Sequence, residues 1–223
     1  MTSLARLVTR ALLVLGLVGL SHATILSSAQ DGDEAAVLQY LQNGNDPDVM
    51  SDKNRTMLMF AAIEGHANII TILLQYNASL DLVDANGRTA VMFAARSGHS
   101  QVVDLLISGG ASLDIQDKDL RTALILAAMA NQTDTVRALL QGGADADITD
   151  FKDLKAINHA ARRDRVDIVC LLKDYTTLSP SYAFGGVAGK CFLNGTVYFV
   201  GNETFNGVEL VRCVDTCVWE TSK

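Results

Sequence analysis

The chain has 223 residues, 49% of them hydrophobic and only two of them proline, which excludes a disordered chain and allows one main domain plus a small appendage. Its formal net charge of −7 excludes nucleic acid and anionic lipid surfaces as partners, because like charges repel. On charge alone, a partner with some positive charge fits better.

The N-terminal segment differs in kind from the rest. Met1 to Arg10 carries Arg6 and Arg10 and no acid, Ala11 to Leu20 is an unbroken apolar run, and Ser21-His22-Ala23 places small residues at its first and third positions. That order predicts a cleavable export signal over residues 1–23. The apolar run is about half of the roughly 20 residues that a bilayer span needs. Two other readings are a helix packed on the next segment and an uncleaved anchor. Cleavage would remove Arg6 and Arg10, leaving 16 Lys and Arg against 25 Asp and Glu, a net charge of −9.

Beyond this segment the sequence repeats itself. Arg55, Arg88 and Arg121 precede Thr56, Thr89 and Thr122, and the pairs Ala61-Ala62, Ala94-Ala95, Ala127-Ala128 and Ala160-Ala161 keep the same register. Gly65-His66 recurs as Gly98-His99. The threonines are predicted N-caps of an inner helix, their hydroxyls accepting from free N–H groups of the first turn. The alanine pairs let helices approach closely, and Gly65 and Gly98 end the inner helix where a positive φ is needed. An outer helix follows, with apolar spacing at Ile69-Ile70 and Leu73-Leu74, at Val102-Val103 and Leu106-Ile107, and at Val136 with Leu139-Leu140. Asn77-Ala78, Gly110-Ala111 and Gly143-Ala144 close it, and turn residues such as Asp84-Ala85-Asn86-Gly87 predict a projecting hairpin. One period back from Thr56 lies Ala23, with Ile25, Ser28-Ala29 and Gly32 standing where Leu58, Ala61-Ala62 and Gly65 stand later. The folded domain is therefore expected to begin at Thr24, where the signal would be cut.

A period of about 33 residues, read as a turn plus two short helices, resembles the ankyrin repeat. The resemblance covers roughly Thr24 to Tyr175. It implies an all-α repeat solenoid of about five repeats, near 24–54, 55–87, 88–120, 121–153 and 154–175, each a helix-turn-helix with a hairpin loop. Where the family favours T-P-L-H, this chain has Thr56-Met57-Leu58-Met59, Thr89-Ala90-Val91-Met92 and Thr122-Ala123-Leu124-Ile125. The seam between repeats is therefore expected to be apolar, without the histidine hydrogen bond usual in the family. Lys155 in place of the capping threonine, and Lys173 in place of an outer-helix leucine, mark the last repeat as the C-terminal cap.

Residues 176–189, rich in small side chains, read as a linker. Residues 190–223 have β-type composition, with Thr196–Val200 and Val208–Val214 as predicted strands. Cys191, Cys213 and Cys217 fall in this short module, which is too small to hold a core without a staple. The fourth cysteine, Cys170, shares an outer-helix column with Thr71, Asp104 and Arg137 and is expected to be at least partly exposed. Either Cys170 bridges to the tail and docks it on the last repeat, or it is a free buried thiol. Four cysteines allow three pairings, and spacing does not choose among them. The run Cys191, Asn194-Gly195, Tyr198, Gly201, Phe205 and Cys213 resembles the opening of a von Willebrand factor type C module. That resemblance implies an extracellular, disulfide-stapled β appendage. Of the N-x-Ser/Thr sequons, Asn54, Asn77 and Asn131 stand in columns held elsewhere by Gly87, Gly110 and Gly98, so a positive φ explains them. Asn194 and Asn202 are the glycosylation candidates if the source is eukaryotic.

No catalytic constellation is present in the sequence. His66 and His99 belong to the repeated turn, and His159 lies on the last inner helix in the column of Phe60, Phe93 and Leu126, where packing is expected. There is no phosphate loop, four-ligand zinc spacing or calcium-loop spacing, so no enzyme, cofactor or metal is expected. In the family the positions that vary flank the hairpin tip and the end of the inner helix and form a concave face. Carried over by register, the candidate partner-binding residues are Arg55, Arg88, Arg96, Arg121, Phe151 and Lys152. Arg55, Arg88 and Arg121 would form a positive stripe suited to carboxylates, or would brace neighbouring acids such as Asp84 and Asp117. The leading reading is a secreted monomer, periplasmic if bacterial, that binds a protein through the concave face without a membrane anchor. The other is a matrix component whose disulfide tail mediates assembly, with the stack as spacer.

Overall fold

A computed structural model describes residues 22–176 and the strands at 189–193 and 196–200. Among these residues ten short helices run in pairs: α1 (His22–Asp31) with α2 (Glu34–Gln42), α3 (Met57–Glu64) with α4 (Ala67–Gln75), α5 (Ala90–Ser97) with α6 (Ser100–Ser108), α7 (Ala123–Met129) with α8 (Thr133–Gln141), and α9 (Ala156–Ala161) with α10 (Val166–Leu172). The odd-numbered inner helices pack on one another in chain order, and the even-numbered outer helices form a second layer against them. Helices of six to ten residues are too short to persist alone, so their stability comes from stacking.

The contact surfaces follow the repeated residues. The alanine pairs on α3, α5 and α7 have no exposed surface, nor does Ala160 on α9. Met59, Met92 and Ile125 are fully buried, giving the apolar seam expected where the family carries histidine. Thr56 Oγ1 accepts from Met59 N at 3.3 Å, and Thr122 Oγ1 from Ile125 N at 3.4 Å. Thr89 departs from the expectation. It keeps the cap backbone at φ −90° and ψ 170°, but its buried Oγ1 has no hydrogen-bond partner, so this cap is made by backbone conformation alone.

The backbone departs to positive φ at six non-glycine and seven glycine residues among those described, and all of them fall in three columns of the repeat. Gly32, Gly65, Gly98, Asn131 and Asp164 end the inner helices, Gly44, Asn77, Gly110 and Gly143 follow the outer helices, and Asn54, Gly87, Leu120 and Asp153 close the hairpins. Asn54, Asn77 and Asn131 thus occupy left-handed turns, as their glycine columns implied. The first column carries a second demand. His99 Nε2 meets Ile63 O at 3.0 Å and His66 Nε2 meets Gln30 O at 2.9 Å, so each imidazole reaches back onto the preceding repeat. A Cβ on Gly65 would lie 2.6 Å from the His99 ring, whereas one on Gly110 would meet nothing.

Each hairpin, or finger, is closed around one acceptor. Asp84 Oδ1 accepts the N–H groups of Asn86 and Arg88, and Asp117 Oδ1 those of Asp119 and Arg121. Asp150 Oδ1 accepts from Lys152 and Leu154, and in the first finger Ser51 Oγ accepts from Arg55 N. All three aspartates are buried. The fourth finger has Leu154 in the arginine column, and His159 Nε2 fills that place 2.8 Å from Asp150 Oδ2. Burial pushes the His159 imidazole below its ordinary range, and Arg163 and Arg162 add to this against the pull of Asp150. Burial alone would raise the Asp150 carboxyl, but the N–H of Lys152, His159 and the N–H of Leu154 outweigh it and hold the group low.

In the C-terminal segment β1 (Gly189–Leu193) pairs antiparallel with β2 (Thr196–Val200), Cys191 standing opposite Tyr198. β2 coincides with a predicted strand, while β1 begins at the last residue assigned to the linker. The predicted strand Val208–Val214 and residues 1–21 of the export segment predicted over 1–23 lie outside the described residues, while His22 and Ala23 open α1.

Two consequences are measurable. Gly65→Ala should destabilise the chain by about 2–3 kcal/mol, of which about 1–2 is the left-handed alanine and about 1 the displaced His99 bond. Gly110→Ala should lose only the first part, so equal losses in urea unfolding would remove any role for the ring's close approach. Acid should weaken the last repeats in two stages. Because the native His159 takes up its proton below the ordinary value of 6.5, the unfolded chain binds more protons as pH falls through that value, and stability declines. The depressed Asp150 adds a further loss as pH falls through the unfolded value of 3.8 and on to its lower native one. His159→Gln should flatten the first stage in unfolding measured between pH about 7 and about 5. An unchanged slope would place that dependence elsewhere.

Candidate binding surface along the fingers

The fingers are joined to one another by main-chain bonds at their tips. Ala85 N donates to Lys53 O at 2.9 Å, Lys118 N to Asn86 O at 3.0 Å, and Phe151 N to Asp119 O at 3.2 Å. This uses the backbone of the tips and leaves their side chains facing outward. Lys53, Ala85, Asn86, Lys118, Asp119, Phe151 and Lys152 are all exposed.

The arginine column is part of the structure of this edge. Arg88 donates through Nε and its terminal nitrogen to Asp84 Oδ2 at 3.2 and 2.8 Å, and Arg121 does the same to Asp117 Oδ2 at 3.0 and 2.9 Å. Arg121 also pairs with Asp119 at 2.5 Å. Arg55 reaches forward to Asp84 at 3.6 Å, and the Arg55 and Arg88 guanidiniums flank the Phe93 ring at 5.3 and 4.7 Å. Burial alone would raise the Asp84 carboxyl, but the Arg88 guanidinium and the N–H groups of Arg88 and Asn86 hold it below the usual carboxylate range. The bracing alternative thus describes the geometry of Arg55, Arg88 and Arg121, all of which are only partly exposed.

The other candidates stand differently. Arg96, at the end of α5, is exposed, as are Arg162 and Arg163 beyond α9. Phe151 is 59% exposed on the fourth finger, with Lys152 Nζ 5.0 Å from the centre of its ring. The exposed large hydrophobic residues among those described are Met50, Val83, Leu120, Phe151 and Tyr175, and all but Tyr175 lie on fingers. Met50 and Leu120 were not singled out from the sequence. The signal for Leu120 was nonetheless present, since its column otherwise holds Asn54, Gly87 and Asp153.

The edge also differs in charge from the outer layer. Lys53, Lys118 and Lys152 lie on its tips beside the exposed acids Asp52, Asp119 and Asp153, whereas the exposed acids Asp104, Asp134 and Asp167 lie on outer helices and Asp46, Asp81, Asp114 and Asp145 on the loops that follow them. The edge therefore carries cations and acids side by side. Among the described residues no group of three or more His, Cys, Asp or Glu could hold a metal ion. Cys170 is half-buried on α10, and the side chain of Cys191 lies outside the described residues. Cys213, Cys217, Asn194 and Asn202 also lie outside them.

A family model for ankyrin repeats in three copies matches residues 25–119 and again 102–180. None of the curated proteins matches the chain. Paired short helices, fingers joined tip to tip and left-handed turns in fixed columns all lie within the matched span, and the chain belongs to the ankyrin repeat family.

Proposed function

We propose that this is an exported, non-catalytic module that binds a protein partner through the concave face of its ankyrin stack. Ankyrin repeats mediate protein–protein contact, and the observation that carries the reading here is the placement of exposed apolar side chains. Met50, Val83, Leu120 and Phe151 lie on the fingers, where an apolar group in water gains nothing for the fold. Export is supported by the order of basic, apolar and small residues over 1–23. N-terminal sequencing of chain recovered from the medium should begin at Thr24, and a recovered chain that still began at Met1 would remove the signal.

A matrix role with the tail as assembly element is the second reading, and the three cysteines of the short tail are what favour it. These are Cys191, Cys213 and Cys217, and a bond from one of them to Cys170 would tie the tail to α10. Reversing the charge of Arg88 and Arg121 would not separate the two readings, because it would leave buried Asp84 and Asp117 facing like charge. The exposed residues serve better. Arg96→Glu with Phe151→Ala and Lys152→Glu should reduce partner capture by the full chain at least tenfold, roughly the loss of one well-buried anchor. Replacing Cys191, Cys213 and Cys217 with serine should leave capture intact. The opposite pattern would favour the matrix reading.

A further inference from the structure

We propose that the third and fourth fingers form a docking site for an acidic protein segment bearing an aliphatic or aromatic side chain. This rests on the reading that the finger edge is where the partner binds, and it adds both the location and the chemistry of that partner. Leu120 is the starting point. Its φ is 55°, and every other described residue at positive φ is glycine, asparagine or aspartate. A branched side chain is disfavoured in that region, and at 48% exposure Leu120 recovers little by burial. A partner that covered it would make the leucine useful.

The surroundings define that partner. Phe151 stands on the adjacent finger, whose tip is held against the third by the bond from Phe151 N to Asp119 O. Lys118 and Lys152 are exposed next to the two apolar side chains; of the acids on these fingers, Asp119 is already paired with Arg121 and Asp153 is exposed. Arg162 and Arg163 extend positive charge beyond α9. The second finger carries Ala85 and Asn86 at the corresponding tip positions and the first Asp52 and Lys53, so a large apolar side chain and a lysine share the tip positions only in the fourth finger, beside Leu120 of the third, at one end of the row. Acidic residues on a partner would be drawn to that end and repelled by the outer layer, which fixes both position and direction of approach.

The test uses the full chain and a displayed random peptide library as the probe. Enriched peptides should combine Asp or Glu with Leu, Phe or a similar side chain. Binding of the enriched pool should fall at least about tenfold in Leu120→Gly with Phe151→Ala, and again in Lys118→Glu with Lys152→Glu. Glycine suits the left-handed turn, and the strain it relieves offsets the entropy it adds to the unfolded chain, so Leu120→Gly alone should not lower the thermal midpoint appreciably, and its loss of binding could not be ascribed to unfolding. Met50→Ser with Val83→Ser should leave binding unchanged. No enrichment, a neutral or basic pool, or binding indifferent to the Leu120 and Phe151 changes would overturn the proposal. Loss in the Met50 and Val83 variant alone would overturn it yet keep the finger edge as the binding face. Indifference to every finger variant would overturn both.

Discussion

The close approach of successive inner helices is the constraint on which the rest depends. Helices of six to ten residues contribute little stability on their own, and the stack holds because alanine pairs with no exposed surface let one inner helix lie against the next. A larger side chain there would force the helices apart in a densely packed interior. The spacing also sets the distance between turns. That is why the ring of His99 can bond Ile63 O only if Gly65 has no side chain in the way. Glycine at this column answers two requirements, a left-handed backbone and room for the next repeat.

Electrostatics at the fingers follow from the same geometry. A hairpin pressed against its neighbours has N–H groups that cannot all find water, and a buried aspartate satisfies two of them. The buried carboxylate then needs a cation or donor for its second oxygen. Arg88 and Arg121 supply it, and Leu154 removes it in the fourth finger. His159 takes over from the helix below, with Nε2 directed at the carboxylate and Nδ1 3.5 Å from an Arg163 nitrogen. Those contacts suit a neutral ring that donates on one side and accepts on the other. A site occupied by a permanent charge in two repeats is thereby made sensitive to acid in a third.

The same physics explains what could be read from the sequence. Register fixes residue type wherever the backbone leaves little choice, so the left-handed positions of Asn54, Asn77 and Asn131 could be read directly from their columns. The apolar seam at Met59, Met92 and Ile125 was legible for the same reason. The arginine column was not, because one guanidinium can serve a partner's carboxylate or its own chain's, and sequence does not record which is nearer. Nor did it reveal that Thr89 lacks the side-chain bond of Thr56 and Thr122, since all three share one backbone conformation. The tail offered fewer constraints. Without a repeat to fix register, β1 began inside the segment read as linker.

This division between fixed and unfixed positions bears on how the edge can recognise a partner. Within a finger the aspartate and the left-handed residue are tied to the fold, while the two residues between them bond the next finger through the main chain, with Asp119 adding a side-chain pair to Arg121 of its own finger. Their side chains are free to differ, as Ala85-Asn86, Lys118-Asp119 and Phe151-Lys152 do, at little cost to stability. Phe151 is an exposed apolar choice at a position where choice is allowed. Leu120 is an exposed apolar choice at a position where the backbone argues against it. Neither packing nor turn geometry accounts for that leucine, and it is this mismatch with its column that the proposed docking site would explain.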